Sequence, residues 1–99
     1  MDKFALLATL QAKPGKEREV AEFLKSAQPM AESEPQTSRW FALKIGPSTF
    51  GIFDTFAAES GRDAHLTGKV AQALKQKAPE LFAAPPRIEK VDILASKAA

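Results

Sequence analysis

The chain has 99 residues, of which 44% are hydrophobic and 26% charged, and this balance is typical of one globular domain spanning residues 1–99. It contains no cysteine and one histidine, which excludes disulfides, thiolate nucleophiles, Cys-ligated zinc and a His-rich metal site within one chain. The net charge of +2 comes with no dense basic block, so composition does not favour nucleic-acid binding. No apolar run approaches the ~20 residues of a membrane-spanning helix, and we expect a cytoplasmic protein.

The first predicted elements are a strand and an amphipathic helix. Residues 4–12 alternate along two largely apolar faces, which predicts a strand. Pro14-Gly15 ends this strand, and Pro29 kinks or ends the helix that follows. The apolar stripe of this helix has helical spacing and consists of Val20, Phe23, Leu24 and Ala27.

A hairpin, a second helix and a last strand follow. Residues 37–45 and 49–57 flank a turn rich in Gly, Pro and Ser, a pattern typical of a β-hairpin. A second helix is expected to end near Pro79, and residues 87–95 form a final strand. The apolar stripe of the second helix consists of Leu66, Val70, Leu74 and Ala78.

The element order βαββαβ indicates an α+β, ferredoxin-like fold, in which two helices cover one face of a four-stranded antiparallel sheet. The other face of the sheet is expected to carry apolar side chains as well, namely Leu7, Trp40, Phe53, Val91 and Ile93. In a monomer they would form a larger exposed patch than soluble proteins usually tolerate. We therefore predict a homodimer through the open face of the sheet.

The register of the hairpin decides which of its side chains lie beneath the helices. Pairing Ile45 with Phe50 puts Trp40 on the open face. It groups four candidate site residues beneath the helices, namely Arg39, Phe41, Asp54 and Phe56. A turn one residue longer or shorter would reverse this partition.

Asp54 and His65 are the side chains most suited to acid–base chemistry. Asp54 lies in the middle of an apolar strand, where a desolvated carboxylate acts as a general base or accepts a hydrogen bond from a phenol. The alternative for Asp54 is an ion pair with Arg39. His65, at the edge of the second helix's stripe, could take a proton from a hydroquinone-like substrate or steady its anion. Its alternative is a surface histidine that bonds a backbone carbonyl.

Four segments in order carry a family resemblance: Pro14-Gly15-Lys16-Glu17, Glu34-Pro35 with Thr37, residues 50–56, and Ala64-His65-Leu66. Their order and spacing resemble the antibiotic biosynthesis monooxygenase (ABM) superfamily of dimeric α/β barrels. The resemblance implies that the sheets of two subunits pack face to face into a barrel.

The resemblance also implies a cofactor-free monooxygenase that acts on a small aromatic or quinol-type substrate. His65 and Asp54 are then the candidate catalytic residues, and Arg39, Trp40, Phe41 and Phe56 the candidate substrate-binding residues. The oxygenases and haem-degrading enzymes of the superfamily use Asn in their sites, and this chain has no Asn and no Tyr. Three alternatives therefore stay open: a non-catalytic barrel that binds a small hydrophobic metabolite, a stress-related protein, and an isomerase of the muconolactone type.

Overall fold

A computed structural model describes residues 2–97. Its elements are β1 (Phe4–Gln11), α1 (Glu17–Ser26), α2 (Gln28–Glu32), β2 (Arg39–Lys44), β3 (Thr49–Phe56), α3 (Glu59–His65), α4 (Lys69–Leu81) and β4 (Arg87–Asp92). The four strands form one antiparallel sheet in the order β2-β3-β1-β4, with helices packed on it. The predicted ferredoxin-like α+β fold is confirmed, with each predicted helix divided into two.

Both divisions follow from residues that disfavour a continuous helix. Pro29 lies in the first turn of α2, where its missing N–H costs no hydrogen bond, so the chain kinks after Ser26. The second division, at residues 66–68, contains Thr67 and Gly68, which are poor helix formers. The predicted end at Pro79 is wrong, because α4 continues to Leu81.

The predicted register of the hairpin is also wrong, by one residue. Trp40 lies opposite Asp54, and Phe41 lies opposite Phe53. The reason is the turn: the backbone N–H of Ile45 donates to the carbonyl of Thr49 at 2.8 Å, so three residues close the hairpin instead of four. Because side chains alternate along a strand, the shift moves every β2 side chain to the opposite face.

We call the side of the sheet that packs against the helices the covered face; it carries Leu6, Ala8, Leu10, Phe50, Ile52, Asp54 and Trp40. Most of these residues, with Val20, Leu24, Val70 and Leu74 from the helices, belong to one buried apolar core. Trp40 packs against this core, contrary to the expectation that it lies on the opposite side.

The open face is the other side of the sheet, which carries Leu7, Phe41, Phe53 and Val91. Phe41 occupies it in place of the expected Trp40, is 46% exposed and stacks on Phe53 with 6.5 Å between ring centroids. The predicted apolar open face is therefore present, with a different aromatic residue from β2. Among residues 2–97, no helix is both long enough and apolar enough to cross a membrane.

Candidate active site

The centre of the site is a carboxylate on the middle of the sheet. Asp54 is 1% exposed and faces the helices from β3, with Leu6 and Trp40 as its cross-strand neighbours on the covered face. Burying a carboxylate is costly unless hydrogen bonds or an opposite charge compensate it. The partner that compensates Asp54 comes from α3.

His65, the last residue of α3, joins two carboxylates through opposite ring nitrogens. Its Nε2 lies 2.7 Å from Oδ2 of Asp54, and its Nδ1 lies 2.6 Å from Oε1 of Glu34. Glu34 belongs to the connection between α2 and β2. The exposed fraction of the side chain rises along this series, from 2% at Asp54 to 8% at His65 and 18% at Glu34.

The charge of the two carboxylates decides the protonation of the ring. Burial lowers the pKa of His65, but the hydrogen bonds and negative charges of Asp54 and Glu34 outweigh burial and raise it above the ordinary value of 6.5. With a proton on each nitrogen, the ring donates to both carboxylates. The arrangement therefore favours the imidazolium form of the ring over its neutral form.

Neighbouring residues hold this arrangement in place. The ring of Phe56 packs beside that of His65, with centroids 5.4 Å apart. The hydroxyl of Thr37 donates to Oε1 of Glu34 at 3.2 Å. Gly68 leaves room for the same carboxylate, because a Cβ at this position would stand only 2.5 Å from Oε2 of Glu34.

An apolar pocket lies between the sheet and α3–α4, with Asp54 and His65 in its wall. The rest of its lining comes from Leu6, Ala8, Ile52, Leu66, Val70, Ala71, Leu74 and Ile88. Ile88 on β4 is 45% exposed, so the pocket borders the surface at the edge of the sheet. We call this the inner pocket; its volume of about 30 Å³ holds one or two water molecules.

One oxygen of Asp54 is free. Its Oδ2 atom faces His65, whereas its Oδ1 atom is buried and has no hydrogen-bond partner among the described residues. Buried carboxylate oxygens are normally satisfied, and leaving one without a partner costs free energy. Next to an apolar pocket, such an atom is suited to accept a proton or a hydrogen bond from a ligand.

A second cleft lies on the other side of His65 and has a volume of about 260 Å³. We call it the outer cleft; it is lined by Ser33, Glu34, Pro35, Gln36, Thr37, Gly61, Ala64, His65, Gly68 and Lys69. His65 lines both cavities, so it lies between the inner pocket and the outer cleft.

The structure brings together Asp54, His65 and Phe56 of the six predicted site residues. Trp40 lies beside Asp54 on the covered face but lines a separate surface pocket with Arg39. Arg39 and Phe41 lie on the open face because of the shifted register. The alternative ion pair between Asp54 and Arg39 is therefore wrong, since Arg39 pairs with Thr55 across the hairpin and is exposed.

Glu34 is the residue that the sequence interpretation missed as a member of the site. The sequence marks Glu34 only as part of a family segment with Pro35 and Thr37. Because Glu34 lies 31 residues from His65 in sequence, no local pattern relates the two. Within residues 2–97, no group of three His, Asp or Glu side chains could hold a metal ion.

Solved structures with the same fold include proteins named as candidate antibiotic biosynthesis monooxygenases. One from Nitrosomonas europaea, named a candidate member, matches with a TM-score of 0.80 and 15% identity, covering 93% of this chain and 99% of its own. Another candidate, from Caulobacter crescentus CB15, has a TM-score of 0.78 and 16% identity, covering 95% of this chain and 92% of its own. These likenesses show that the chain shares the fold of these proteins.

The chain is also similar to the protein NE2512 of Nitrosomonas europaea, whose function is unknown, and it belongs to the family of that protein. The two share 56% identity over 100% of this chain and 96% of NE2512, with a TM-score of 0.96. No protein-family model matches the sequence, and no curated protein matches it.

Proposed function

We propose that the protein is a cofactor-free monooxygenase in which Asp54 removes a proton from a small aromatic or quinol-type substrate. The observation that supports this most strongly is that Asp54, a residue in the wall of an apolar pocket, has a free Oδ1 atom while its Oδ2 atom contacts His65. The likeness in fold to the candidate antibiotic biosynthesis monooxygenases supports this reaction class.

The reaction requires a general base and a pocket that excludes water. Asp54 takes a proton from an activated CH₂ group, and the resulting carbanion is electron-rich enough to reduce O₂. A carbon–oxygen bond forms to give a peroxide anion, which takes the first proton back from Asp54 and becomes a hydroperoxide. Asp54 then removes the second proton of the same carbon, the electron pair of that C–H bond forms the C=O bond, and the O–O bond breaks. The leaving hydroxide takes this second proton from Asp54 and departs as water, so CH₂ and O₂ give C=O and H₂O.

The protein contributes position and charge. His65 donates to Oδ2 and so orients the carboxylate, while Oδ1 is left for the substrate. A pocket of about 30 Å³ is smaller than one aromatic ring, so binding requires the wall at Leu66 and Ile88 to move outward. Both residues lie at the margin of the sheet–helix core, and Ile88 is half exposed.

Oxygen uptake by metal-free protein tests this function, with hydroquinones and anthrones as substrates and correction for autoxidation. We expect saturable uptake with at least one compound, and its loss in His65→Ala. Product formed without oxygen uptake would instead identify an isomerase. Binding without turnover would identify a metabolite-binding protein, and either result would overturn the proposed function.

We also propose that the protein is a homodimer through its open face, since Phe41, Phe53, Leu7 and Val91 form an uncovered apolar surface there. Phe41→Asp is expected to halve the mass measured by sedimentation equilibrium. Ile88→Asp is the matched control, because Ile88 is as exposed as Phe41 but faces the helices. Equal masses for both variants and the unaltered protein would contradict this interface.

A further inference from the structure

We propose that Glu34 is a positioning residue that holds His65 doubly protonated and aligned on Asp54, which leaves Oδ1 of Asp54 free for the substrate. This inference rests on the proposed function for its catalytic meaning. The contacts that support the inference lie within the protein and do not involve a substrate.

Geometry gives Glu34 this role. Its Oε1 atom lies 2.6 Å from Nδ1 of His65, on the side of the ring opposite Asp54. A ring that donates from Nδ1 to Glu34 has its plane fixed, and its Nε2–H then faces Oδ2 of Asp54 at 2.7 Å. Without an acceptor at Nδ1, neither the orientation nor the second proton of the ring would be specified.

Of the two carboxylates that contact His65, Glu34 is the one more exposed to solvent. The ionisable groups around the ring are Asp54 on β3 and Glu34 before β2, with Lys69 of α4 lining the outer cleft. Arg62, on the same helix as His65, forms ion pairs with Glu59 and Asp92 instead. Of the two carboxylates on the ring, Glu34 alone lines the outer cleft.

Two contacts of the Glu34 side chain, one with Thr37 and one with Gly68, support its role as a positioning residue. Thr37 donates to the oxygen that also faces His65, which orders the carboxylate. Gly68 provides the space for the other oxygen, and any larger residue there would displace it. The backbone at Gly68 has φ −80° and ψ −174°, which alanine adopts without strain, so Gly68→Ala perturbs Glu34 by contact alone.

The protein's single histidine makes the test direct, because one set of imidazole NMR signals reports the site. We expect Glu34→Gln to weaken the proton affinity of His65 about ten-fold or more, since an anion at hydrogen-bond distance is replaced by a neutral amide. Gly68→Ala is expected to cause a smaller shift in the same direction, and Glu34→Asp to restore part of the affinity.

Glu32→Gln is the matched control, because it makes the same charge change two residues away on an exposed side chain. If Glu34→Gln titrates like Glu32→Gln, or Gly68→Ala leaves the titration unchanged, the inference is wrong. The titration needs no substrate, so its outcome is separate from that of the oxygen-uptake test. Where turnover is found, the basic limb of kcat/KM should move to lower pH in Glu34→Gln, together with the titration of His65.

Discussion

Asp54→Asn is expected to lower kcat by about 10²–10⁴-fold, the range that a positioned general base contributes. The amide has the shape of the carboxylate, and its oxygen still accepts a hydrogen bond from Nε2 of His65. It cannot take a proton at neutral pH, however, so the loss would fall on proton transfer. Oxygen uptake under substrate saturation measures kcat, and circular dichroism checks the fold.

Asp63→Asn is the control for charge, because Asp63 is exposed on α3 and pairs with Lys90 on β4. It should retain full turnover. If Asp54→Asn also retained it, Asp54 would not be the base, and the free Oδ1 atom would have another role.

His65→Leu is expected to lower the free energy of unfolding by about 3–5 kcal/mol at pH 6, since it leaves two carboxylates without the cation between them. Asp54 is the main source of the loss because it is the more buried of the two. Urea denaturation followed by tryptophan fluorescence gives the value, with Trp40 as the only tryptophan.

The same loss should depend on pH in a defined direction. The pKa of His65 is raised in the folded protein by Asp54 and Glu34 against the opposing effect of burial. The stabilisation by His65 is therefore complete below pH 6.5 and declines as the pH rises through the raised pKa. The difference between the unaltered protein and His65→Leu should shrink accordingly.

Arg62→Leu provides the contrast, because Arg62 is also a buried cation on α3 but its acidic partners, Glu59 and Asp92, are mostly exposed. The decrease in the free energy of unfolding caused by Arg62→Leu should stay constant between pH 6 and 8. A His65→Leu difference that is equally constant would argue against an imidazolium in the folded protein.

The sequence was sufficient for the order of the elements and for the burial of Asp54. A carboxylate with Ile52 and Phe56 two positions away on either side lies on an apolar strand face whatever its neighbours do. His65 could be placed over the sheet because it adjoins the apolar stripe that begins at Leu66. These inferences depend on periodicity within one element, which the sequence displays directly.

The rest depends on relations between elements. Whether three or four residues close the hairpin changes the face of Arg39, Trp40 and Phe41, and the turn sequence at 46–48 permits both. Glu34 meets His65 only because the connection after α2 passes the end of α3, and no spacing in the sequence encodes that approach. Features that depend on how distant elements meet could therefore not be predicted from the sequence, whereas features set within one element could.

The helix break at residues 66–68 separates the ionisable groups of the site from one wall of the inner pocket. Asp54, His65 and Glu34 lie on β3, α3 and the α2–β2 connection, whereas Val70, Ala71 and Leu74 line the inner pocket from α4, and Ile88 lines it from β4. Under the proposed function, substitutions in α4 or at Ile88 reshape the pocket and so change which ligand it prefers. Asp54, His65 and Glu34 are left in place by such substitutions, so the reaction chemistry is kept.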